Sequence, residues 1–292
     1  MNKINVLFTI AYKGTNYSGW QVQPHKKTIQ GEIESVLSKL FNEKVEVIGS
    51  GRTDAGVHAL EAKANAILNK DFLIKHFSKN GKVDFLKFKD AINRLLPKDI
   101  QILALKKVAL NFNARFSAKQ KTYEYRLQNG RTLSPFDSET TVLVHQKLDL
   151  KKMNEASKFL IGEHDFTSFC SAQTQTTDHI RTIYDINIKQ KKNKIFIDIT
   201  GNGFLYNMVR IIAGTLMKVG MGIYPPEHVE EIIDARDRQQ AGQTALARGL
   251  TLVSLDYEKE LPQWHHRENK EWNYDVLQSH IVEEQTAFMM VS

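Results

Sequence analysis

The residues best suited to chemistry lie in one short segment, Gly49 to Ala59, which reads GSGRTDAGVHA and is called the Asp54 loop below. Its three glycines allow a tight backbone that approaches a ligand closely, so the loop can present one side chain into a cleft. That side chain is Asp54, two residues after Arg52. Because a neighbouring positive charge favours the ionised carboxylate, we expect a lowered pKa for Asp54, which suits a nucleophile or a base.

Two common phosphate-binding loops and one hydrolytic chemistry do not fit this segment. Its third glycine comes too late for a dinucleotide-binding GxGxxG loop, and no Gly-Lys-Ser/Thr follows for a Walker A loop. A glycoside hydrolase would need two carboxylates flanking the scissile bond, whereas the loop offers only Asp54. An aspartate in a glycine-rich loop most often forms an Asx turn, so the loop by itself leaves a structural role open.

Eight further segments accompany the loop, and together they resemble the TruA family of tRNA pseudouridine synthases. The resemblance covers roughly residues 4 to 257, and the segments come in the family's order. One such match would be weak, whereas eight in order are highly specific. They are YKG and YSGWQ within 12–21, TIQG at 28–31, ARFSA at 114–118, KTYEY at 121–125, GEHDFTSF at 162–169, RTIY at 181–184, NGFLYNMVR at 202–210 and ARGL at 247–250.

The resemblance implies an enzyme that isomerises uridine to pseudouridine in the anticodon stem-loop of tRNA, at tRNA positions 38–40. The reaction breaks the N1–C1′ glycosidic bond, turns the uracil and rejoins it to the ribose through C5. Because nothing is oxidised and no group leaves, we expect neither a metal nor any other cofactor. By resemblance Asp54 is the nucleophile, and attack at C6 of the uracil and attack at C1′ of the ribose both remain open.

The resemblance also assigns roles around this aspartate. Arg52 would hold the substrate backbone while the target base is flipped out of its stack, and Arg210 would pair with Asp54 across the cleft. Tyr123 would stack on the uracil, and its hydroxyl would handle the C5 proton. The residues expected to bind the substrate are Leu250, which would cover the other side of the base, Tyr123, Lys121 and Arg115.

Four of these residues, and His58 at the end of the loop, also have an ordinary structural interpretation. An arginine on a loop or on the polar face of an amphipathic helix, as for Arg52 and Arg210, is usually solvated. A tyrosine or a leucine in a strand usually packs, so Tyr123 and Leu250 could simply belong to the core. His58 could be a general base because histidine titrates near neutrality, but the family gives it a structural role.

Composition is consistent with an RNA-binding protein but does not identify one. The net charge of +7 and the pI near 9.2 suit a polyanionic partner. The lone Cys170 excludes an internal disulfide, which agrees with a reducing compartment. Because no apolar run is long enough for a membrane span or a signal peptide, we expect a cytoplasmic protein whose partner is tRNA. By resemblance it would act as a homodimer, with no small-molecule cofactor and no membrane contact.

Hydrophobic periodicity predicts an α+β chain with two similar cycles of strands and helices. A strand is expected at 4–12, a helix after a Thr28 cap, a helix end before Pro97 and a strand from Ile100 to Val108. Further strands are predicted at 44–49, 121–128, 182–189 and 194–199, and further helices at 150–161 and 204–218. The resemblance adds two ferredoxin-like halves, 1–104 and 105–257, whose sheets join into one mixed, largely antiparallel sheet with a central RNA-binding cleft, the pseudouridine synthase fold.

Three features depart from the family pattern. Leu60-Glu61-Ala62-Lys63 follows the loop where the family has a small residue, Gly, Gln and Val, and Asn113 replaces a histidine before ARF. Residues 258–292 form a C-terminal extension past the resemblance, where we expect a partly ordered appendage. Two alternatives therefore stand beside the main interpretation. They are a divergent paralogue acting on another structured RNA, and a non-catalytic RNA-binding protein, which the presence of Asp54 and Arg52 disfavours.

Overall fold

The computed structural model of the chain describes residues 2–172 and 176–257. In these residues ten strands form one mixed sheet, two more form a small hairpin, and seven α-helices accompany them. The predicted α+β class with one joined sheet is confirmed. Among the described residues, none of the helices combines the length and the apolar composition of a membrane span. The predicted extension, 258–292, lies outside the described residues.

The first nine elements form one half of the sheet and its helices. They are β1 (Lys3–Tyr12), α1 (Ile29–Phe41), β2 (Ile48–Gly49), β3 (His58–Asn69), α2 (Lys70–His76), β4 (Ser78–Lys79), β5 (Lys82–Val83), α3 (Phe85–Leu95) and β6 (Ile100–Val108). The strands of the large sheet pair antiparallel in the order β6-β1-β3-β2, while β4 and β5 form the separate hairpin. With α1 and α3 as connections, this is the βαββαβ order of a ferredoxin-like unit.

The remaining elements repeat this arrangement. They are α4 (Ala114–Ser117), β7 (Gln120–Asn129), β8 (Val142–Val144), α5 (Leu150–Ser157), β9 (Gly162–Asp165), β10 (Ile180–Lys191), β11 (Lys194–Gly201), α6 (Met208–Gly220), α7 (His228–Ala235) and β12 (Leu250–Asp256). The order β12-β7-β11-β10 is antiparallel and corresponds strand by strand to β6-β1-β3-β2. The halves join where β12 runs parallel to β3, with Thr251 opposite His58. The Asp54 loop enters the sheet at this junction.

Helix α1 shows how local sequence determines an element. The side chain of Thr28 accepts a hydrogen bond from Gly31 N at 3.3 Å, so the predicted cap is confirmed. Ile29 and Ile33 lie one turn apart on the same face and are fully buried. The helix ends before Asn42, whose backbone is left-handed, a common way to stop a helix.

The strand predicted at 44–49 is wrong except at its end, because only Ile48–Gly49 pairs with β3. The amide of Val45 donates to the Ser38 hydroxyl and that of Val47 to the Glu34 carboxylate, both on α1. These amides are therefore satisfied without a neighbouring strand. The two valines are buried, which produces the alternating pattern in a segment that is not a strand.

Two predicted helices are shorter than expected. The helix predicted at 204–218 begins only at Met208, because Asn207 has a φ of 62° and lies outside the right-handed helical region. The helix predicted at 150–161 ends at Ser157 and gives way to a 3-10 turn. Strand β6 passes residue 104, the expected end of the first half, and continues to Val108.

Candidate active site

The Asp54 loop connects β2 to β3 and is held by the N-terminal YKG/YSGWQ segment. Trp20 N donates to Thr53 O at 3.0 Å, and Gly56 N donates to Tyr17 O at 3.4 Å. The hydroxyls of Tyr12 and Thr53 share a hydrogen bond of 2.8 Å. These contacts between distant segments determine the position of the loop without regular strand pairing.

Two glycines of the N-terminal segment are required by this close approach. A Cβ at Gly14 would stand 2.0 Å from Val57 O, and one at Gly19 would stand 2.6 Å from Thr53 O. Gly19 also has a φ of +94°, which side-chain-bearing residues rarely adopt. The glycines are visible in the sequence, but only the structure shows that the loop is what they accommodate.

Asp54 forms an ion pair with Arg210, which lies in the first turn of α6. Its Oδ2 is 3.3 Å from Arg210 Nη1, and the Asp54 side chain keeps 24% of its exposure. Arg210 also donates to Ala245 O and to Asn207 Oδ1, both at 2.7 Å, so its guanidinium is fixed in place. The predicted pairing of Arg210 with Asp54 is confirmed. The left-handed Asn207 that delays α6 provides one of the groups that orient Arg210.

The lowered pKa expected for Asp54 from its neighbour Arg52 is wrong. Burial of the carboxyl group raises the pKa of Asp54, and the charge and hydrogen bond of Arg210 offset only part of that rise. The Arg52 side chain is exposed, where solvent and salt screen its charge. Asp54 is therefore a poorly hydrated carboxyl group opposite a fixed guanidinium, an arrangement that suits a nucleophile.

Tyr123 lies on β7 and is 8% exposed. Its ring meets Phe204 edge to face, with 5.3 Å between the ring centroids. Burial is the main cause that raises the pKa of its hydroxyl, and the nearby Tyr12 and Asp54 raise it further. The hydroxyl therefore stays protonated at neutral pH. Phe204, known from the sequence only as the first residue of the helix predicted at 204–218, lines this ring.

The ARGL segment lies against both the Asp54 loop and β7. Ala247 Cβ is 3.4 Å from the point that a Cβ on Gly56 would occupy, and a Cβ on Gly249 would stand 2.7 Å from the Tyr125 ring. Leu250 begins β12 opposite Tyr125 and is 5% exposed. The structure thus brings Leu250, the last residue of the segment that contacts the loop, to the central strands.

Lys121 contacts the backbone of the Asp54 loop. Its Nζ donates to Ser50 O at 3.1 Å and is 2.9 Å from the point that a Cβ on Gly51 would occupy. Burial, together with the smaller effect of the positive charges of Arg115 and Arg181, lowers the pKa of Lys121 to about 8. The family resemblance implies that Lys121 and Arg115 bind the substrate. The structure places the Lys121 ammonium on the loop and leaves Arg115 exposed on α4.

Both ring nitrogens of His58 are engaged in hydrogen bonds, so neither is available to act as a general base. Its Nδ1 accepts from Gly14 N at 3.0 Å, so Nε2 carries the proton and donates to Glu139 O at 2.9 Å and Arg248 O at 3.2 Å. Burial lowers the pKa of His58, which keeps the ring neutral. The geometry supports the structural interpretation.

The departures from the family pattern near the loop fit the fold. Leu60 and Ala62 are buried in β3, and Lys63 Nζ reaches Thr9 Oγ1 on β1 at 3.0 Å. Asn113 caps α4, since its side chain accepts from Arg115 N at 3.0 Å. Neither change alters the segment that carries Asp54.

Comparisons with known proteins match most of the chain. The tRNA pseudouridine synthase family matches residues 9–117 and 156–258. The tRNA pseudouridine synthase A of Caldicellulosiruptor saccharolyticus is 45% identical over 253 residues, which cover 87% of this chain and 99% of that protein. The tRNA pseudouridine synthase A of Brevibacillus brevis is 42% identical over 248 residues, which cover 85% of this chain and 97% of that protein.

A solved structure described as a Cbf5–Nop10–Gar1 complex contains a chain that aligns at 11% identity with a TM-score of 0.32, covering 86% of this chain and 59% of that one. A TM-score this low adds nothing to the fold described above. The family match includes both Asp54 and Arg210, the ion pair at the centre of the site. With this match and relatives above 40% identity along nearly their whole length, the chain belongs to the tRNA pseudouridine synthase family.

Proposed function

We propose that this protein isomerises uridine to pseudouridine in the anticodon stem-loop of tRNA, with Asp54 as the nucleophile. Membership of the family supports the isomerase activity and tRNA as the substrate. The observation that supports Asp54 in particular is its 3.3 Å ion pair with Arg210, because the guanidinium favours the charged, nucleophilic form of a partly buried carboxyl group.

In the first step Asp54 attacks C6 of the uracil or C1′ of the ribose, and the N1–C1′ bond breaks. Arg210 favours the charged form of the carboxylate. It also orients the carboxylate, since hydrogen bonds to Ala245 and Asn207 fix the guanidinium. The uracil then turns, C5 bonds to C1′, and the link to Asp54 breaks. The proton leaves C5 and N1 gains one, so the product has the composition of the substrate.

Tyr123 stacks on the uracil and relays the C5 proton in this proposal. Because its hydroxyl stays protonated, it can accept that proton only while passing its own to a neighbouring acceptor. Leu250 covers the opposite side of the base, and Arg52, exposed on the loop, holds the substrate backbone once the base is flipped. Stacking of this kind offsets part of the cost of extruding the base.

The decisive experiment replaces Asp54 and separates turnover from binding. Asp54→Asn and Asp54→Ala should form no pseudouridine in an in vitro-transcribed tRNA. Their Kd for that tRNA should stay within about threefold of the parent value, because affinity comes from many phosphate contacts. The matched control is Asp90→Asn, an exposed carboxylate on α3, which should turn over like the parent. Isomerisation that survives in both Asp54 variants would exclude Asp54 as the nucleophile.

The substrate itself is tested by mapping pseudouridines in total RNA from cells with and without this gene. Sites lost only from the anticodon arms of tRNA would support the proposal, whereas sites lost from another structured RNA would identify a divergent paralogue. The homodimer, the cytoplasmic location and the boundaries 1–104, 105–257 and 258–292 stay predictions.

A further inference from the structure

The short helix α4 displays an aromatic ring to solvent. Phe116 is 78% exposed, and the Arg115 guanidinium lies 5.8 Å from the centroid of its ring. A single exposed apolar side chain is common on protein surfaces, so its exposure is not informative by itself. The way the helix is anchored and the place where it lies make this ring different.

A buried pair of asparagines anchors α4. Asn65 Oδ1 accepts from Ala114 N at 2.8 Å, and Asn65 Nδ2 donates to Asn5 Oδ1 at 2.9 Å. Asn5 Nδ2 in turn donates to Phe112 O at 2.9 Å, in the segment that leads into the helix. The two asparagines are at most 1% exposed. Because buried and satisfied amide networks are rigid, the ring of Phe116 is presented from a backbone of defined position.

The anchored helix lies beside the Asp54 loop and among cations. It packs on β2 and β3, the two strands that the loop connects. Lys121, whose ammonium bonds to Ser50 O of the loop, has Arg115 and Arg181 as its charged neighbours. A cluster of cations attracts nucleic-acid phosphates, and an aromatic ring within such a cluster offers a face to an unpaired base.

We propose that Phe116 and Arg115 form a stacking platform for an unpaired nucleotide of the substrate RNA, close to the uridine that enters the site. This inference rests on the proposed function and extends it to a contact outside the reacting centre. Single-stranded bases stack on phenylalanine rings and arginine planes while neighbouring cations hold the backbone. A paired stem leaves no base face free, so the platform selects a single-stranded part of the substrate.

The test measures affinity in the Asp54→Asn background, so that no RNA is converted during the titration. The probe is an in vitro-transcribed anticodon arm with 2-aminopurine placed at successive loop positions, because stacking quenches its fluorescence. Phe116→Leu should raise the Kd roughly five- to fiftyfold and abolish quenching at one position, while Phe116→Tyr keeps both near the parent values.

The salt dependence separates the ring from the cation beside it. Arg115→Gln should lower the slope of log Kd against log salt concentration by about one, whereas Phe116→Leu should leave that slope unchanged. A substitution that merely disturbed the fold would not produce this division. Phe136→Leu is the matched control, since Phe136 is 97% exposed on a separate 3-10 turn, and its Kd should equal that of the parent.

The inference is overturned if Phe116→Leu binds within twofold of the parent, or if Phe136→Leu weakens binding as much. This failure is distinct from a failure of the proposed function. If only the stacking platform is wrong, the protein with Asp54 intact still forms pseudouridine in tRNA. If the proposed function is wrong, that protein forms none.

Discussion

The two halves of the sheet have the same strand order but differ in how the second strand is connected to the third. In the C-terminal half β10 and β11 pair from Ile183 to Lys191 and turn tightly at Lys192, which has a φ of 56°. In the N-terminal half β2 pairs with β3 only at Ile48 and Gly49, and the rest of the connection is the loop that carries Asp54. One topological position therefore gives a plain hairpin in one half and the candidate active site in the other.

The two connections are stabilised by different kinds of contact. The hairpin is held by hydrogen bonds between its own two strands. The Asp54 loop depends on distant segments, since Thr53 O accepts from Trp20 N and Ser50 O from Lys121 Nζ. A loop without strand pairing can display a side chain. Its position is consequently sensitive to residues far away in the sequence.

Each half also carries a polar pair between its first and third strands. In the N-terminal half the pair is neutral, with Asn65 Nδ2 donating to Asn5 Oδ1 at 2.9 Å. In the C-terminal half Glu124 and Asp198 lie opposite each other in the register of β7 and β11. Of these two pairs, only the second can change its charge with pH.

The largest expected effect is the loss of turnover when Arg210 is replaced, compared with the replacement of another paired arginine. Arg210→Met would leave the pKa of Asp54 raised by burial with no opposing guanidinium, so the carboxyl group would stay protonated to higher pH. We expect the single-turnover rate at neutral pH to fall roughly 100-fold or more, with the acid limb of the pH profile displaced upward. Arg236→Met, which removes a pair with Asp165 in the C-terminal half, should keep the parent profile. An unchanged acid limb in Arg210→Met would refute this account.

The second prediction concerns Gly19→Ala, which tests whether contacts with distant segments hold the Asp54 loop in position. Gly19→Ala would place a Cβ 2.6 Å from Thr53 O at a φ of +94°. We expect it to lower the free energy of unfolding by about 2–4 kcal/mol, measured by urea denaturation, and to reduce turnover. Gly222→Ala is the control, because its φ is +75° but no described atom lies within 4 Å of the new Cβ. The control should cost about 1–2 kcal/mol from backbone strain alone, and equal costs would show that the loop contact is unimportant.

The smallest effect comes from the charged pair of the C-terminal half. The pKa of Asp198 is raised to about 6, chiefly by burial and then by the charge of Glu124, while the Lys189 ammonium at 2.8 Å opposes the rise. A carboxyl group with a raised pKa stabilises the fold below its unfolded pKa near 4 and loses that contribution as the pH rises through about 6. The stability of the parent relative to Asp198→Asn should therefore fall by roughly 2 kcal/mol between pH 4 and pH 8.

Urea denaturation at both pH values measures this difference. Asn65→Ser, in the neutral pair of the other half, should lower stability by the same amount at each pH. A pH-independent difference for Asp198→Asn would mean that its pKa is close to that of the unfolded chain.

Much of the framework could be predicted because short-range patterns encode it. The Thr28 cap and the burial of Ile29 and Ile33 are local consequences of helix geometry, and both are found in the structure. The strand from Ile100 to Val108 also has the predicted bounds. The same local reasoning failed at Val45 and Val47, whose alternating burial does not reveal that side chains of α1 satisfy their amides.

At the site, sequence alone placed one carboxylate in a glycine-rich loop, and the family resemblance paired it with Arg210. The tertiary structure decided which charge matters to Asp54 and in which direction its pKa moves. Arg52, two residues away, is exposed, whereas Arg210, 156 residues along the chain, bonds to the carboxylate. Backbone conformation and helix caps depend on neighbours in sequence. Desolvation and ion pairing depend on which distant segments enclose a group, and only the folded chain brings those segments together.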